Sequence, residues 1–212
     1  MLNLALNLIL GILLLGENMI IKLPAPATDS SFSVERAINE RMSIRTYKDT
    51  PLTLKEVSQL LWAGQGIVAS GRRASPSAGA TYPLEIFLAA GKVEGLKPGL
   101  YRYRNKEHSL ELVKEGDLRP ALSAAALGQD MILKAPATLV VTAVFERTRA
   151  RYGARTERYV HMEAGHVGEN IMLQATALGL GTVPVGAFND GEVKKLLGIE
   201  EDPLYLFPVG WK

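Results

Sequence analysis

Arg41-Met42-Ser43-Ile44-Arg45 sets two guanidinium groups and a hydroxyl within one short segment. Guanidinium groups give charge-assisted, often bidentate hydrogen bonds, so the cluster suits a phosphate or the electron-rich edge of a heterocycle. Alone, it fits a solvated basic turn equally well. Pro76-Ser77-Ala78-Gly79-Ala80 has side chains small enough, and backbone amides bare enough, for a planar ring or a phosphate chain to come close. The same letters describe an ordinary surface loop. Gly179-Leu180-Gly181-Thr182-Val183-Pro184-Val185-Gly186-Ala187 is the third small-residue segment, and it follows a stretch with apolar residues at helical spacing.

Other chemistries are set aside by the same residues. The chain has no cysteine, which removes disulfides, thiolate metal sites, iron–sulfur clusters and a cysteine nucleophile together. Redox chemistry would then belong to a bound organic cofactor or to a metal without thiolate ligands. His161 and His166 stand five positions apart, about 140° around a helix, and do not share a metal as an i, i+4 pair does; no metal site is expected. Glu163 and Glu169 need not converge either, and exposed charges are the default for both. Gly64-x-Gly66-x-x-Ala69 has the letters of a dinucleotide fingerprint but follows a helix, while Gly179-x-Gly181 also follows a helix and has Pro184 where a third small residue belongs. A formal charge of +2 over 212 residues gives no argument for nucleic acid.

Taken in order, the three segments resemble the flavin-binding segments of the nitroreductase family, over about Ser33 to Lys212. The run from Ser77 to Pro83 is most similar to the SagB-type dehydrogenase branch, whose better-known members oxidise peptide azolines to azoles. The resemblance implies an α+β fold, a mixed, largely antiparallel β-sheet flanked by helices, in an intertwined homodimer with flavin mononucleotide (FMN) at the interface. It implies an FMN-dependent oxidoreductase that passes a hydride between NAD(P)H or another donor and a small organic acceptor through flavin N5. Two alternatives stay open: a peptide-azoline dehydrogenase acting with a modification partner, and a flavin-binding protein without turnover.

By the same likeness Arg41, Met42 and Ser43 meet the phosphate and ribityl chain, and Arg45 meets the pyrimidine edge of the isoalloxazine. Pro76, Ser77, Ala78, Gly79 and Ala80 approach the flavin. Pro184, Val185, Gly186 and Ala187 run along it, with the Gly186 backbone near N5, and Lys212 is the remaining cation for the phosphate near the C-terminus. Many relatives carry Asn and Gln at Ala80 and Tyr82 and Glu at Gly186, so this site is expected to be more open and less polar. No acid–base side chain is implied, since the cofactor carries the chemistry.

The elements that must position these segments can be read from periodicity. Ser33 suits the N-cap of a helix over 34–41, and Thr53 with Glu56 suits a capping box for a helix ending near Gly64 and Gly66. Leu84 to Ala90 and Thr138 to Val144 are short apolar runs that read as buried strands. Leu100 to Tyr103 and Ser109 to Val113 read as a hairpin. Asp117 to Leu127 reads as a helix that tolerates Pro120 only in its first turn. Glu157 to Leu178 has Val160, Ala164, Val167, Ile171 and Ala175 at helical spacing and is the expected central helix, closed by Gly179. A short strand or extended run over 182–185, a helix from Asn189 through Leu197 and a strand over 205–209 complete the chain.

At 47% hydrophobic and 22% charged, the composition is that of a globular chain, and one domain over 24–212 is expected. Residues 1–23 form an apolar leader with no Lys or Arg before Lys22. Three explanations stand: a signal or membrane anchor, a helix packed on the fold or a partner, and a start codon assigned too early, with Met19 as the true start. Cytoplasmic location is expected under the last two, and membrane contact through residues 1–21 under the first.

Overall fold

Leu84, Ile86, Leu88 and Ala90 alternate with Phe87 and Ala89 along β2 (Leu84–Ala90), and all six are buried, so this strand needs cover on both faces. In the computed structural model, which describes residues 19–212, it receives it. β2 is the middle of a seven-stranded sheet that also holds β1 (Ile20–Lys22), β3 (Gly99–Arg104), β4 (Ser109–Glu115), β5 (Ala137–Ala143), β6 (Leu180–Thr182) and β7 (Asp202–Trp211). The order is β1-β4-β3-β2-β5-β7-β6, and every strand pairing is antiparallel. The parallel component expected of a mixed sheet is confined to isolated bridges, Ser43 with Thr182 and Leu52 with Val93.

One face carries α2 (Leu54–Gln65) and α6 (Thr156–Ala177), whose Leu60, Leu61, Val160, Val167 and Ile171 pack with Leu84, Ile86 and Leu88. The other carries α3 (Arg119–Ala125), α4 (Asp130–Lys134) and α7 (Asp190–Leu197), where Leu122, Ile132, Val193 and Leu197 meet Phe87 and Val140. This is the α+β layering that the alternation along β2 and the stripe along α6 demand.

Local signals set the element ends. The Thr53 capping box forms, with Glu56 accepting from the Thr53 N–H at 2.7 Å. Ser33 caps α1 (Val34–Glu40) by accepting from the Arg36 N–H at 3.1 Å. Pro120 falls in the first turn of α3, where its missing N–H costs no helical bond. That helix stops at Ala125 rather than Leu127, because Leu127 and Gly128 turn left-handed, and α4 follows as a separate short helix. β7 runs well beyond the expected 205–209, since its ends are fixed by pairing with β5 and β6 rather than by its own apolar pattern. Two elements were too short to stand out in the sequence: α5 (Phe145–Tyr152), a charged helix, and β1.

β1 lies inside the expected leader. Its Ile20 stands opposite Glu111, and the Leu112 N–H donates to the Met19 carbonyl at 2.9 Å, so the sheet begins immediately after Met19. The three explanations for the leader concern mainly residues 1–18, which lie outside the described residues. Among the described residues no helix is long and apolar enough to cross a membrane.

Candidate functional site

Arg41 ends α1, and the chain then runs as an extended strap along the β6 edge of the sheet. The Ile44 N–H donates to the Thr182 carbonyl at 2.9 Å and the Lys48 N–H to the Trp211 carbonyl at 2.8 Å. The Tyr47 hydroxyl lies 2.9 Å from the Ile44 carbonyl and 3.1 Å from that of Pro208; burial pushes this phenol's pKa up, so it stays a neutral donor. Gly181 permits the approach, since a Cβ there would lie 2.5 Å from Ile44 Cγ2. The strap, the 182–187 stretch and the C-terminal end of β7 therefore form one neighbourhood.

Within it, Val185 is pinned by reciprocal bonds with Leu206 at 2.9 and 3.0 Å, which leaves Gly186 and Ala187 exposed beyond the sheet. Gln129 Nε2 donates to the Ala187 carbonyl at 2.8 Å and the Asn189 N–H donates to Ala125 at 2.9 Å, so the stretch is held from the α3–α4 side. The Gly186 N–H has no acceptor among the described residues. Arg41 is half-buried, Arg45 and Lys212 are exposed, and none of the three has an ion-pair partner among the described residues. This half offers uncompensated positive charge beside a bare peptide edge, which suits a ligand with a phosphate and a flat ring.

The 76–82 loop is built differently. Gly79, Ala80 and Tyr82 all have left-handed φ, at 56°, 55° and 46°. For Ala80 and Tyr82 that costs about 1–3 kcal/mol each and persists only where surroundings impose it. They do. Glu163 of α6 accepts from the Ala78 N–H at 2.9 Å, and the Ser77 hydroxyl oxygen accepts from the Tyr82 N–H at 2.8 Å. Asn170, two turns along α6, donates to Ser75 Oγ at 3.1 Å. From α5, Arg151 donates to the Gly79 carbonyl at 3.0 Å, Arg147 to the Tyr82 carbonyl at 2.9 Å, and Thr148 bonds Thr81 at 2.9 Å. The Arg73 guanidinium lies 5.0 Å over the Tyr82 ring.

That construction corrects one expectation. The amides of Ala78, Ala80, Thr81 and Tyr82 are all spent on Glu163, Ser77 and Ala78, so the loop presents a shaped surface rather than a row of donors for a phosphate. Pro76, Gly79 and Ala80 are exposed on it, and a cavity of about 470 Å³ opens beside them, bordered by Arg72, Arg73 and Tyr82. Glu163 is the second correction. It is 4% exposed, not a solvated charge, and burial pushes its carboxyl pKa up against the pull of Ala78, Ser77, His166 and Arg73. The signal was in the sequence: three residues after Val160 and four before Val167, Glu163 lies on the apolar stripe of α6. Arg147, Thr148 and Arg151 had no such signal, because α5 is short, strongly charged and has little apolar face.

The two halves stand apart in one chain. The loop is anchored at Glu163, the strap beyond the end of α6 at Ala177, which is about 20 Å along the helix at 1.5 Å per residue. Across the sheet, the loop enters β2 and the 182–187 stretch continues β6, three strand spacings or about 14 Å away. A larger cavity of about 750 Å³, between α5, α6, α7 and the start of β7, is lined by none of the expected site residues. His161 meets the Phe145 ring edge-on, and no group of three or more His, Asp or Glu among the described residues could hold a metal.

The chain belongs to the nitroreductase family, whose profile, described as Nitroreductase family, matches residues 38–211. It is 45% identical over 199 residues to "Putative nitroreductase MJ1384" of Methanocaldococcus jannaschii, covering 93% of this chain and 99% of that protein. A crystal structure described in similar words, from Ralstonia eutropha JMP134, superposes with a TM-score of 0.79 at 31% identity, covering 91% of this chain and 89% of that one. At greater distance are the Escherichia coli Microcin B17-processing protein McbC, 29% identical over 137 residues and spanned to 50% by this chain, and a Bacillus subtilis strain 168 protein named FMN reductase, NAD(P)H. The latter is 24% identical over 188 residues, 83% of this chain and 62% of that protein. The protein is an enzyme, an oxidoreductase of the nitroreductase type, on a nitroreductase fold.

Proposed function

We propose that the protein is an FMN-dependent oxidoreductase acting as a homodimer, in which the strap half of one copy and the 76–82 loop of the other enclose each FMN. The observation that carries this is the split itself. Arg41, Arg45 and Lys212, without ion-pair partners among the described residues, belong to segments at the same β6–β7 edge of the sheet as the 182–187 stretch, while the loop most shaped for contact stands about 20 Å back along α6 and three strands away. A symmetric pair brings unlike patches together twice, so each copy completes the other's site. The name FMN reductase, borne by one relative, supports the cofactor, and NAD(P)H in that name supports the donor.

Bound FMN would supply hydride transfer at N5. Arg41, Met42 and Ser43 hold its phosphate and ribityl chain, with Lys212 adding charge, and Arg45 faces the pyrimidine edge. The Gly186 N–H, lacking an internal acceptor, is free to bond the ring, and Pro184, Val185 and Ala187 give it a flat backing. Pro76 to Ala80 supply the opposing surface. The test is the purified protein's absorption spectrum with chromatography of released pigment: FMN rather than FAD is expected, with steady NAD(P)H oxidation. A colourless protein that FMN does not reconstitute would overturn the reading, and flavin without turnover would leave a binding protein.

A second reading is favoured by the likeness to McbC: oxidation of azoline rings in a peptide, alongside a modification partner. Incubation with an azoline peptide separates the two, since only this reading expects each ring to lose the mass of two hydrogens.

A further inference from the structure

The 76–82 loop holds two non-glycine residues in left-handed conformation, and a chain does not keep such strain without a force opposing its relaxation. Arg147 and Arg151 hold the carbonyls of Tyr82 and Gly79 from α5, and Glu163 holds the start of the loop from α6. A carboxylate in the interior of α6 at 4% exposure accepts the Ala78 N–H at 2.9 Å, and the Ser77 hydroxyl favours its ionised form. Ser77 Oγ in turn accepts from the Tyr82 N–H, 2.8 Å away and five residues on. An ionised carboxylate accepts the Ala78 N–H more strongly than a protonated one and offers no competing donor.

We propose that Glu163 is a positioning residue that, when ionised, holds the flavin-facing loop in its strained shape and, when protonated, lets it relax, linking cofactor retention to pH. The inference rests on the reading of the loop as an FMN contact. The basic side chains facing the group are His166 on the same helix and Arg73 in the segment before the loop; both favour the ionised form. Burial opposes them and prevails, so the carboxyl titrates above its usual range.

The two consequences have opposite signs. With its pKa raised on folding, Glu163 binds more proton in the native than in the unfolded state, so through this group global stability falls as pH rises across the window above the ordinary Glu value. Loop order does the reverse, gaining as the carboxylate forms. A residue serving only the core would move both together.

The experiment compares wild type with Glu163→Gln, which keeps one acceptor for Ala78 and replaces the other with a donor. Amide exchange of residues 77–82 is followed in the apoprotein, and FMN affinity by titration, each at about pH 8 and about pH 5. Expected for wild type is a loss of loop protection of about fivefold or more on acidification, relative to the amides of α6. Glu163→Gln should show the low protection already at high pH, flat with pH, and bind FMN about tenfold more weakly there. FMN's own phosphate titrates near pH 6, so only the difference between the two proteins reports on Glu163. Equal protection and equal pH dependence in both would overturn the proposal.

If Glu163→Gln does not fold, Ser77→Ala decides: it keeps the carboxylate but removes one donor, and should move the loss of protection to higher pH. An unchanged midpoint overturns the proposal. If neither protein binds FMN at any pH, the cofactor reading fails, while the exchange measurement on the apoprotein still judges the grip of Glu163.

Discussion

The strap at 41–48 and the loop at 76–82 both border the proposed flavin site, yet they are held in opposite ways. The strap is fixed by its backbone, through Ile44 to Thr182 and Lys48 to Trp211, which leaves Arg41 and Arg45 without counter-charges. The loop is fixed by side chains reaching in from α5 and α6 to its carbonyls and to the Ala78 amide, while the Ala80, Thr81 and Tyr82 amides bond within it and three of its residues are left-handed. One half supplies charge on an unstrained frame, and the other supplies shape at a cost in strain. A charged grip tolerates small displacements, because Coulomb attraction falls off slowly; a stacking surface does not, because dispersion is lost within an ångström. That difference accounts for where the chain spends its buried polar groups.

The sharpest way to break the comparison is to damage each half in a different copy. Arg41→Glu with Arg45→Glu in one chain, which reverses the charge offered to the ligand, and Gly79→Val in another should each abolish detectable FMN binding; at Gly79 an added Cβ would lie 2.5 Å from the Tyr152 hydroxyl. Refolded together in equal amounts, they should regain about a quarter of the wild-type sites, since half the dimers are mixed and each mixed dimer has one intact site. No regain over the separate proteins would place both halves in one chain's site.

Arg41→Gln alone should weaken FMN binding by about 1.5–3 kcal/mol, the scale of a charged hydrogen bond, with a near-normal potential once the site is filled. Arg45→Gln should act chiefly on the potential, lowering it, because a cation at the pyrimidine edge favours the negative charge that reduction places there. FMN titration and spectroelectrochemistry on both variants check this, and equal effects on affinity with none on potential would refute the division.

A smaller effect is expected at Gln129, the side chain that grips the Ala187 carbonyl. Gln129→Ala should cost about 1 kcal/mol of FMN affinity, and little else if the strap half relies on backbone pairing. The smallest concerns the N-terminus. A chain beginning at Met19 should bind FMN as the full chain does and differ in unfolding free energy by no more than about 0.5 kcal/mol, since β1 and both halves of the site lie beyond it. Loss of folding or of FMN would make residues 1–18 part of the structure's support.

Much of the architecture was legible because its causes are local. The stripe from Val160 to Ala175 specifies α6, Thr53 with Glu56 specifies the start of α2, and the alternation along β2 demands helices on both faces. The basic strap and the small-residue segments could be picked out by residue type, and their order carried the family. α5 was not legible, because it is short and half of its residues are charged, leaving little apolar face to read, and it braces the loop through Arg147, Thr148 and Arg151. Nor was the length of β7, which its neighbours set.

The sequence by itself determined which residues carry charge, which are small enough for close approach, and where the long helix lies, since these depend on residue type and spacing. Only the tertiary structure decided that Glu163 is spent on the Ala78 amide, that α5 grips the loop's carbonyls through Arg147 and Arg151, and that the strap lies beyond the end of α6 while the loop is anchored at Glu163, about 20 Å back along it. Those facts depend on contacts between residues tens of positions apart, and on the burial that such contacts create, neither of which any local pattern contains.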